Sequence, residues 1–233
     1  MFRWMGQICN MKRIFDFVCS LLGLIILSPV ILVISILIVH DSPGGVFFRG
    51  ERVGLHGETF RIFKFRSMLP DCEGKGKWNV GDTDERITKI GHRLRKSKLD
   101  ELPQLINVLK GDMSLVGPRP ELRYYVDMYT ETEMPILDLK PGITDWASMT
   151  NFEQFKGFTE AADPDAFYLE QVRPLKLKLQ LYYRYHHSFF GDLKCLFWTV
   201  YKVATHSQKL PPEVQKIVDD YRAEKEARQQ ISE

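Results

Sequence analysis

Two adjacent carboxylates, Asp100 and Glu101, stand at the centre of a densely charged stretch of the chain. Neighbouring positions on a helix diverge by about 100° around its axis, so these two groups cannot perform the same task. One can be aimed at a phosphorus atom of a substrate while the other holds a cation. Basic and polar side chains surround them: Arg93, Arg95, Lys96, Lys98, Gln104, Asp112 and Arg119.

The basic residues just upstream of Asp100 favour phosphate chemistry. They would offset the repulsion between a carboxylate and an incoming diphosphate. A helix predicted to start here would favour anions at its N-terminus and keep Asp100 ionised as a nucleophile. The alternative interpretation is a solvated helix start, in which both acids are only partners of the helix dipole. On these residues alone, that alternative is favoured.

Composition narrows the chemistry further. The net charge of +2 is close to balanced and does not indicate a nucleic acid as partner. The 4 cysteines are scattered without a CxxC pair, which is typical of a reducing compartment, and the 6 histidines show no metal-ligand spacing.

The element expected to position this cluster is an apolar run from Phe17 to Val39, interrupted by Ser28 and Pro29. About 20 apolar residues span roughly 30 Å of hydrocarbon. Pro29 has no N–H to donate to the carbonyl of Ile25, so the helix must kink or break there. Basic residues flank both ends of the run. They favour a re-entrant hairpin that enters and leaves through the cytoplasmic leaflet, with a kinked single crossing as the alternative.

The remaining residues predict one compact domain of the α+β class that is mostly helical. Short aromatic runs separated by Leu55, His56 and Gly57 predict a β-hairpin. Helices are predicted from Ile87 to Gly111, over 121–133 and over 165–187, the last with a strand-like alternation of leucines. Residues 189–205 predict an amphipathic helix that lies either in the membrane interface or against the core. The predicted units are a membrane anchor (1–40), this domain (41–207) and a charged helical tail (208–233).

One long motif reverses the preference for a solvated helix start. The string from Lys98 through Asp100, Glu101 and Asp112 to Arg119, KLDELPQLINVLKGDMSLVGPR, resembles the signature of bacterial sugar transferases. These are the monotopic phosphoglycosyl transferases that start glycan assembly on a polyprenyl phosphate. The resemblance covers about residues 11–205. In length, the chain resembles the short catalytic-core members of the family.

The resemblance implies transfer of a sugar 1-phosphate from a UDP-sugar to undecaprenyl phosphate, with release of UMP. Asp100 matches the nucleophile that forms an aspartyl phospho-sugar intermediate, and Glu101 matches the carboxylate associated with Mg²⁺. Arg95 and Arg119 match positions that contact phosphate, and Lys64 and Arg66 match a motif near the site. Ser28 and Pro29 match the helix break of the family.

The implied location is the cytoplasmic face of the bacterial plasma membrane, with membrane lipids as further partners. The stretch from Asp145 to Ser148 departs from the Gly-Trp-Ala-Gln form common in the family, and it lies where we expect discrimination between sugars. The donor sugar therefore stays open. The formation of a homodimer is a further possibility that the sequence does not decide. A membrane-bound phosphatase or nucleotidase, and a noncatalytic adaptor for anionic lipids, are the competing functions.

Overall fold

The computed structural model describes residues 2–70, 84–150, 163–205 and 207–232. Eight α-helices lie within these ranges: α1 (Phe2–Asp41), α2 (Lys89–Ser97), α3 (Gln104–Lys110), α4 (Arg123–Val126), α5 (Pro164–Phe167), α6 (Arg173–His186), α7 (Phe189–Thr205) and α8 (Pro212–Ser232). The strands in the same ranges are β1 (Phe47–Phe48), β2 (Glu51–Val53), β3 (Thr59–Arg61), β4 (Lys64–Phe65), β5 (Ser114–Val116) and β6 (Gly142–Thr144). The predicted α+β class with mostly helical content is confirmed.

Helix α1 continues through Pro29, so the proline does not end the helix. The hydroxyl of Ser28 donates to the carbonyl oxygen of Ile25 at 2.8 Å. That carbonyl is the acceptor which the missing N–H of Pro29 leaves over. Residue 28 thus satisfies a backbone group that hydrocarbon could not solvate. Met11–Asp41 is long and apolar enough to cross a membrane, and most of it is exposed. The re-entrant path of this helix stays a prediction.

Both ends of α1 are bound to the rest of the protein. Near its beginning, the guanidinium of Arg13 donates to the carbonyl oxygens of Val108 and Leu109 at 2.6 and 2.9 Å. At its end, the carboxylate of Asp41 accepts a hydrogen bond from the backbone N–H of Ile90 at 3.0 Å. Polar contacts therefore hold both ends of the apolar segment to one body.

The last turns of α1 also share an apolar cluster with α2 and β4. Ile34 and Ile38 pack there with Phe65 and Leu94, and all four are buried. Full burial of such a side chain contributes roughly 1.5–3 kcal/mol. This cluster fixes the distance between the membrane helix and the strand that carries Lys64.

The predicted β-hairpin is present and is divided into two antiparallel ladders. β2 pairs with β3 around the turn Leu55–Gly57, and β1 pairs with β4, so that Phe48 lies opposite Lys64. His56 and Gly57 have φ values of 55° and 80°, the left-handed conformation in which glycine is favoured. This pairing places Lys64 within reach of the turn Leu99–Glu101, which is called the charged turn below.

A parallel pair, β5 with β6, is present that was not predicted. The connection beyond β5 approaches β6 closely: a Cβ atom on Gly142 would lie 2.1 Å from the backbone nitrogen of Gly117. The predicted helix over 121–133 is shorter than expected and is limited to α4. The parallel pair places the segment 117–120, which includes Arg119, beside the domain core.

The largest core cluster joins β5, α6, α7 and α8. It includes Val116, Leu179, Cys195, Val214 and Val218. The helical prediction for residues 165–187 is confirmed over α5, a π-helical turn at Tyr168–Val172 and α6. The predicted tail helix is α8, and its first turns pack into this core; the predicted division into three units is otherwise untested.

Helix α7 has an inverted distribution of polar and apolar side chains. Phe190, Phe197 and Val200 are exposed by 80, 68 and 67%, whereas Asp192 and Lys202 are buried. This arrangement is unfavourable in water, because apolar side chains stabilise a protein only where their surface is removed from water. The apolar stripe faces outward, as expected for a helix in the membrane interface.

Candidate active site

A tight turn positions the two central carboxylates. Helix α2 ends at Ser97, and Lys98 then adopts the left-handed conformation with φ 58° and ψ 15°. A non-glycine residue in this region is uncommon, and such strain concentrates at functional sites. Asp100 and Glu101 follow in the 3₁₀ turn Leu99–Glu101.

The expectation that Asp100 and Glu101 occupy the first turn of a long α-helix is therefore wrong. Backbone bonds of the i to i−3 type hold the turn, with the N–H of Leu102 donating to the carbonyl of Leu99 at 3.2 Å. Pro103, which has no N–H, lies at the N-cap of α3. The short helix α3 begins only at Gln104 and ends at Lys110, and Gly111, with a φ of 95°, is the C-cap as predicted.

Glu101 is the centre of an ion-paired cluster. The guanidinium of Arg119 donates to both of its carboxylate oxygens, with Nη1 3.0 Å from Oε2 and Nη2 on Oε1. The ammonium of Lys64 donates to Oε1 at 2.8 Å. Three residues separated by 18 and 37 positions thus meet at one carboxylate. Paired and bidentate bonds of this kind are among the strongest in proteins.

The electrostatics of the cluster keep Glu101 ionised. Burial alone would raise the pKa of its carboxyl group, but Arg119 and Lys64 outweigh burial and hold the pKa well below its ordinary value. Lys64 and Arg119 place two cations on this one carboxylate, and with the neighbouring Asp100 the charges of the four side chains balance. Both cationic side chains are of types that also bind phosphate oxygens.

Asp100 lies next to this cluster and is only 8% exposed. A carboxylate largely withdrawn from water interacts more strongly with nearby charges than an exposed one. The solvated helix start considered above is inconsistent with this burial. Of the predicted site residues, Asp100, Glu101, Lys64 and Arg119 are brought together.

Two other predicted site residues have different contacts. The guanidinium of Arg66 is buried and donates to the carbonyl oxygens of Ser42, at 2.7 Å, and of Pro43. It therefore fastens the C-terminal end of α1 to the hairpin. Arg95 lies on α2, where its charge helps to lower the pKa of Asp84, after the hydrogen bond from Arg86. Ser28 and Pro29 lie in the middle of α1.

Two positioning residues were missed by sequence reasoning. Asn107 is fully buried in α3; its Oδ1 accepts from the N–H of Phe63 at 2.7 Å, and its Nδ2 donates to the carbonyl of Arg61 at 3.0 Å. It thus ties the charged turn to the strand that carries Lys64. Asp145 is also fully buried and contacts the backbone of Arg119. The signal for Asn107 was a polar side chain between the apolar residues Ile106 and Val108.

The donor set fits a magnesium ion only in part. Among the described residues, no group of three or more His, Cys, Asp or Glu side chains could hold a metal. Mg²⁺, however, is commonly bound by one or two carboxylates together with substrate phosphates and water. Glu101 could supply such a carboxylate, provided that it gives up one of its ion pairs.

Comparisons with known proteins identify the family of the chain. The family model described as bacterial sugar transferase matches residues 7–206. An uncharacterized sugar transferase, EpsL, of Bacillus subtilis (strain 168) is 41% identical over 194 residues, which cover 83% of this chain and 87% of the relative.

Two longer relatives have names that state an activity. The UDP-N-acetylgalactosamine-undecaprenyl-phosphate N-acetylgalactosaminephosphotransferase of Aeromonas hydrophila is 37% identical, with 83% of this chain and 44% of the relative covered. The UDP-glucose:undecaprenyl-phosphate glucose-1-phosphate transferase of Escherichia coli (strain K12) is also 37% identical, with 82 and 40% covered. The chain spans less than half the length of these two relatives.

Proposed function

Because the chain belongs to the bacterial sugar transferase family, we propose that it transfers a sugar 1-phosphate from a UDP-sugar to undecaprenyl phosphate and releases UMP. The observation that supports this most directly is the ion-paired cluster of Glu101 with Lys64 and Arg119, directly beside the buried Asp100 in the chain. Phosphoryl transfer requires positioning and neutralisation of charge more than unusual side chains, and this cluster supplies both.

The proposed reaction has two half-reactions at one site. A carboxylate oxygen of Asp100 attacks the phosphorus next to the sugar; the bond from this phosphorus to the bridging oxygen breaks, and UMP leaves with the electron pair. The resulting aspartyl phospho-sugar is then attacked by a phosphate oxygen of the lipid, which restores the carboxylate. Covalent catalysis of this kind separates a step with a soluble donor from a step with a lipid acceptor.

The cationic side chains of the cluster would act on the diphosphate. Arg119 and Lys64 lie within hydrogen-bond distance of Glu101 and would neutralise charge on the departing UMP. We propose Mg²⁺ as the cofactor, held by Glu101 with diphosphate oxygens. When bound, this ion would withdraw negative charge from the diphosphate. We also propose Arg95 and Arg66 as phosphate contacts. This role requires each guanidinium to exchange its present partners for the ligand.

We further propose that the protein is monotopic and lies on the cytoplasmic face of the bacterial plasma membrane. Its re-entrant α1 and the exposed stripe of α7 would enter one leaflet, since both ends of α1 are bound to the same domain. Asp100 would then lie close to the headgroup level, where a polyprenyl phosphate exposes its phosphate.

The test is an assay of UMP release from a panel of UDP-sugars, in detergent with Mg²⁺ and undecaprenyl phosphate. We expect UMP to appear with at least one donor, and turnover to stop when the lipid is omitted or a chelator is added. Release of inorganic phosphate or free sugar phosphate without a lipid product would indicate a phosphatase or nucleotidase instead. Absence of any nucleotide product with every donor would refute the proposed function for these substrates.

A further inference from the structure

The loop that carries Arg119 is held by the buried side chain of Asp145, the residue that follows β6. Arg119 follows β5, and its backbone N–H donates to Oδ2 of Asp145 at 3.2 Å. Asp145 comes directly after β6 and is fully buried. A guanidinium on a loop can be aimed only as well as the backbone that carries it is fixed.

Gln180 of α6 completes this contact from the opposite side. Its Nε2 donates to the same Oδ2 of Asp145 at 3.1 Å and lies 3.5 Å from the carbonyl oxygen of Arg119. The Oε1 of Gln180 is buried without a hydrogen-bond partner. A buried carbonyl oxygen without a partner destabilises the fold. The orientation of the amide is therefore set by the hydrogen bond from Nε2 to Asp145.

The other oxygen of Asp145 is occupied as well. Oδ1 accepts from the backbone N–H and from the hydroxyl of Ser148, each at 2.6 Å. The carboxylate therefore joins three chain segments: the loop of Arg119, the turn at Ser148 and helix α6. Asp145 has no exposed surface, so its role within this stretch is to hold these segments together.

We infer that Asp145, with Gln180, is a positioning residue for Arg119. The two side chains fix the backbone N–H and carbonyl of Arg119, so that its guanidinium stays bidentate on Glu101 and directed at the donor diphosphate. The inference rests on the proposed function, since it assigns Arg119 to that diphosphate. It adds a buried residue outside the charged turn to the machinery of the reaction.

A double-mutant cycle tests the inference. In Asp145→Asn, an amide replaces a carboxylate that accepts four hydrogen bonds, so at least one donor loses its acceptor. We expect kcat/KM for the UDP-sugar to fall by about 100-fold, since small misplacements of a catalytic group have effects of this size. In an Arg119→Ala background the same substitution should lower kcat/KM by less than about threefold, because the group that it positions is already absent.

The control is Asp192→Asn, since Asp192 is comparably buried but binds Lys12 and Tyr183 instead. Its effect should be the same with and without Arg119. Full loss from Asp145→Asn in the Arg119→Ala background would show a general structural role and overturn the inference. Unchanged kcat/KM in Asp145→Asn would overturn it equally.

A second readout separates this inference from the proposed function. The same cycle is measured on thermal stabilisation by UDP with Mg²⁺, which requires no turnover. A wild-type protein that is stabilised by UDP but releases no UMP would refute the proposed reaction, while the cycle would still decide the role of Asp145. Gln180→Leu, which removes only one donor to Asp145, should weaken UDP stabilisation in the same direction and to a smaller extent.

Discussion

The guanidinium of Arg13 donates to the carbonyl oxygen of Val108 at 2.6 Å and so joins the membrane helix to the last turn of α3. The opposite end of α3 follows the turn that carries Asp100 and Glu101. The carbonyl oxygen of Val108 also accepts from the N–H of Gly111 at 3.1 Å, and a cation at this end of a helix interacts favourably with the helix dipole. Arg13 therefore connects the membrane anchor to the candidate active site through one short helix.

Arg13→Ala should destabilise the protein and reduce turnover. The substitution leaves two carbonyl oxygens without their charged donor, for which we expect a loss of about 1–3 kcal/mol in the free energy of unfolding. The measurement is thermal unfolding in detergent, together with UMP release. Lys110→Ala is the matched control, because Lys110 lies at the same helix end in an exposed ion pair worth about 0–1 kcal/mol. Equal effects of the two substitutions would contradict this role of Arg13.

Asp100→Asn should abolish turnover and leave the protein folded. The amide has the size of the carboxylate but lacks the negative oxygen that attacks phosphorus, so no covalent adduct can form. The measurement is incubation with a UDP-sugar radiolabelled in the sugar, without acceptor, followed by detection of labelled protein. Label should appear on the wild type and on Asp127→Asn, whose carboxylate is exposed, and be missing from Asp100→Asn. A wild type that never acquires label would refute the covalent mechanism.

Features set by local residue order were predictable from the sequence. The bounds of α7 follow from the apolar spacing between residues 189 and 205, and the hairpin follows from the turn at His56 and Gly57. The effect of Ser28 and Pro29 was predictable in part. The missing N–H identified Ile25 as the orphan acceptor, but not that the neighbouring hydroxyl would satisfy it and let the helix continue.

Features that depend on distant residues were not predictable in the same way. β5 and β6 are 3 residues each and are separated by a long connection, so neither has a periodicity of its own. The motif singled out Lys64, Glu101 and Arg119, but only the fold shows that they meet. Arg66 belongs to the same sequence motif as Lys64, yet it lies just beyond β4, and its guanidinium donates to a carbonyl oxygen next to the end of α1.

Lys64→Met should change the acid stability of the protein. The folded-state pKa of Glu101 lies well below its ordinary value of 4.5, so its ion pairs stabilise the fold above that pH, and this stability is lost as the pH falls through the lower folded pKa. Removal of Lys64 should raise that pKa toward 4.5. The stabilisation should then become smaller and should disappear at a higher pH.

The measurement is the unfolding temperature from pH 7 to pH 3 for the wild type and Lys64→Met. The difference between the two should be largest above pH 4.5 and should shrink in acid, where Glu101 becomes protonated in both. Lys178→Met is the control, since Lys178 forms an exposed pair with Glu224. A difference between Lys64→Met and the wild type that does not depend on pH would contradict the assignment of the shift to this ion pair.

Cysteine labelling in sealed vesicles should place both flanks of α1 on one side of the membrane. Single cysteines are introduced as Met5→Cys before the apolar segment and Thr59→Cys after it, in a background with the four native cysteines replaced. Asp219→Cys on α8 reports the side on which the domain lies. All three should react with an impermeant thiol reagent from the same side, because Arg13 and Asp41 hold the two ends of α1 to that domain. Reaction of Met5→Cys and Thr59→Cys from opposite sides would establish a single crossing, and the contacts at one end of α1 would then have to break in the membrane.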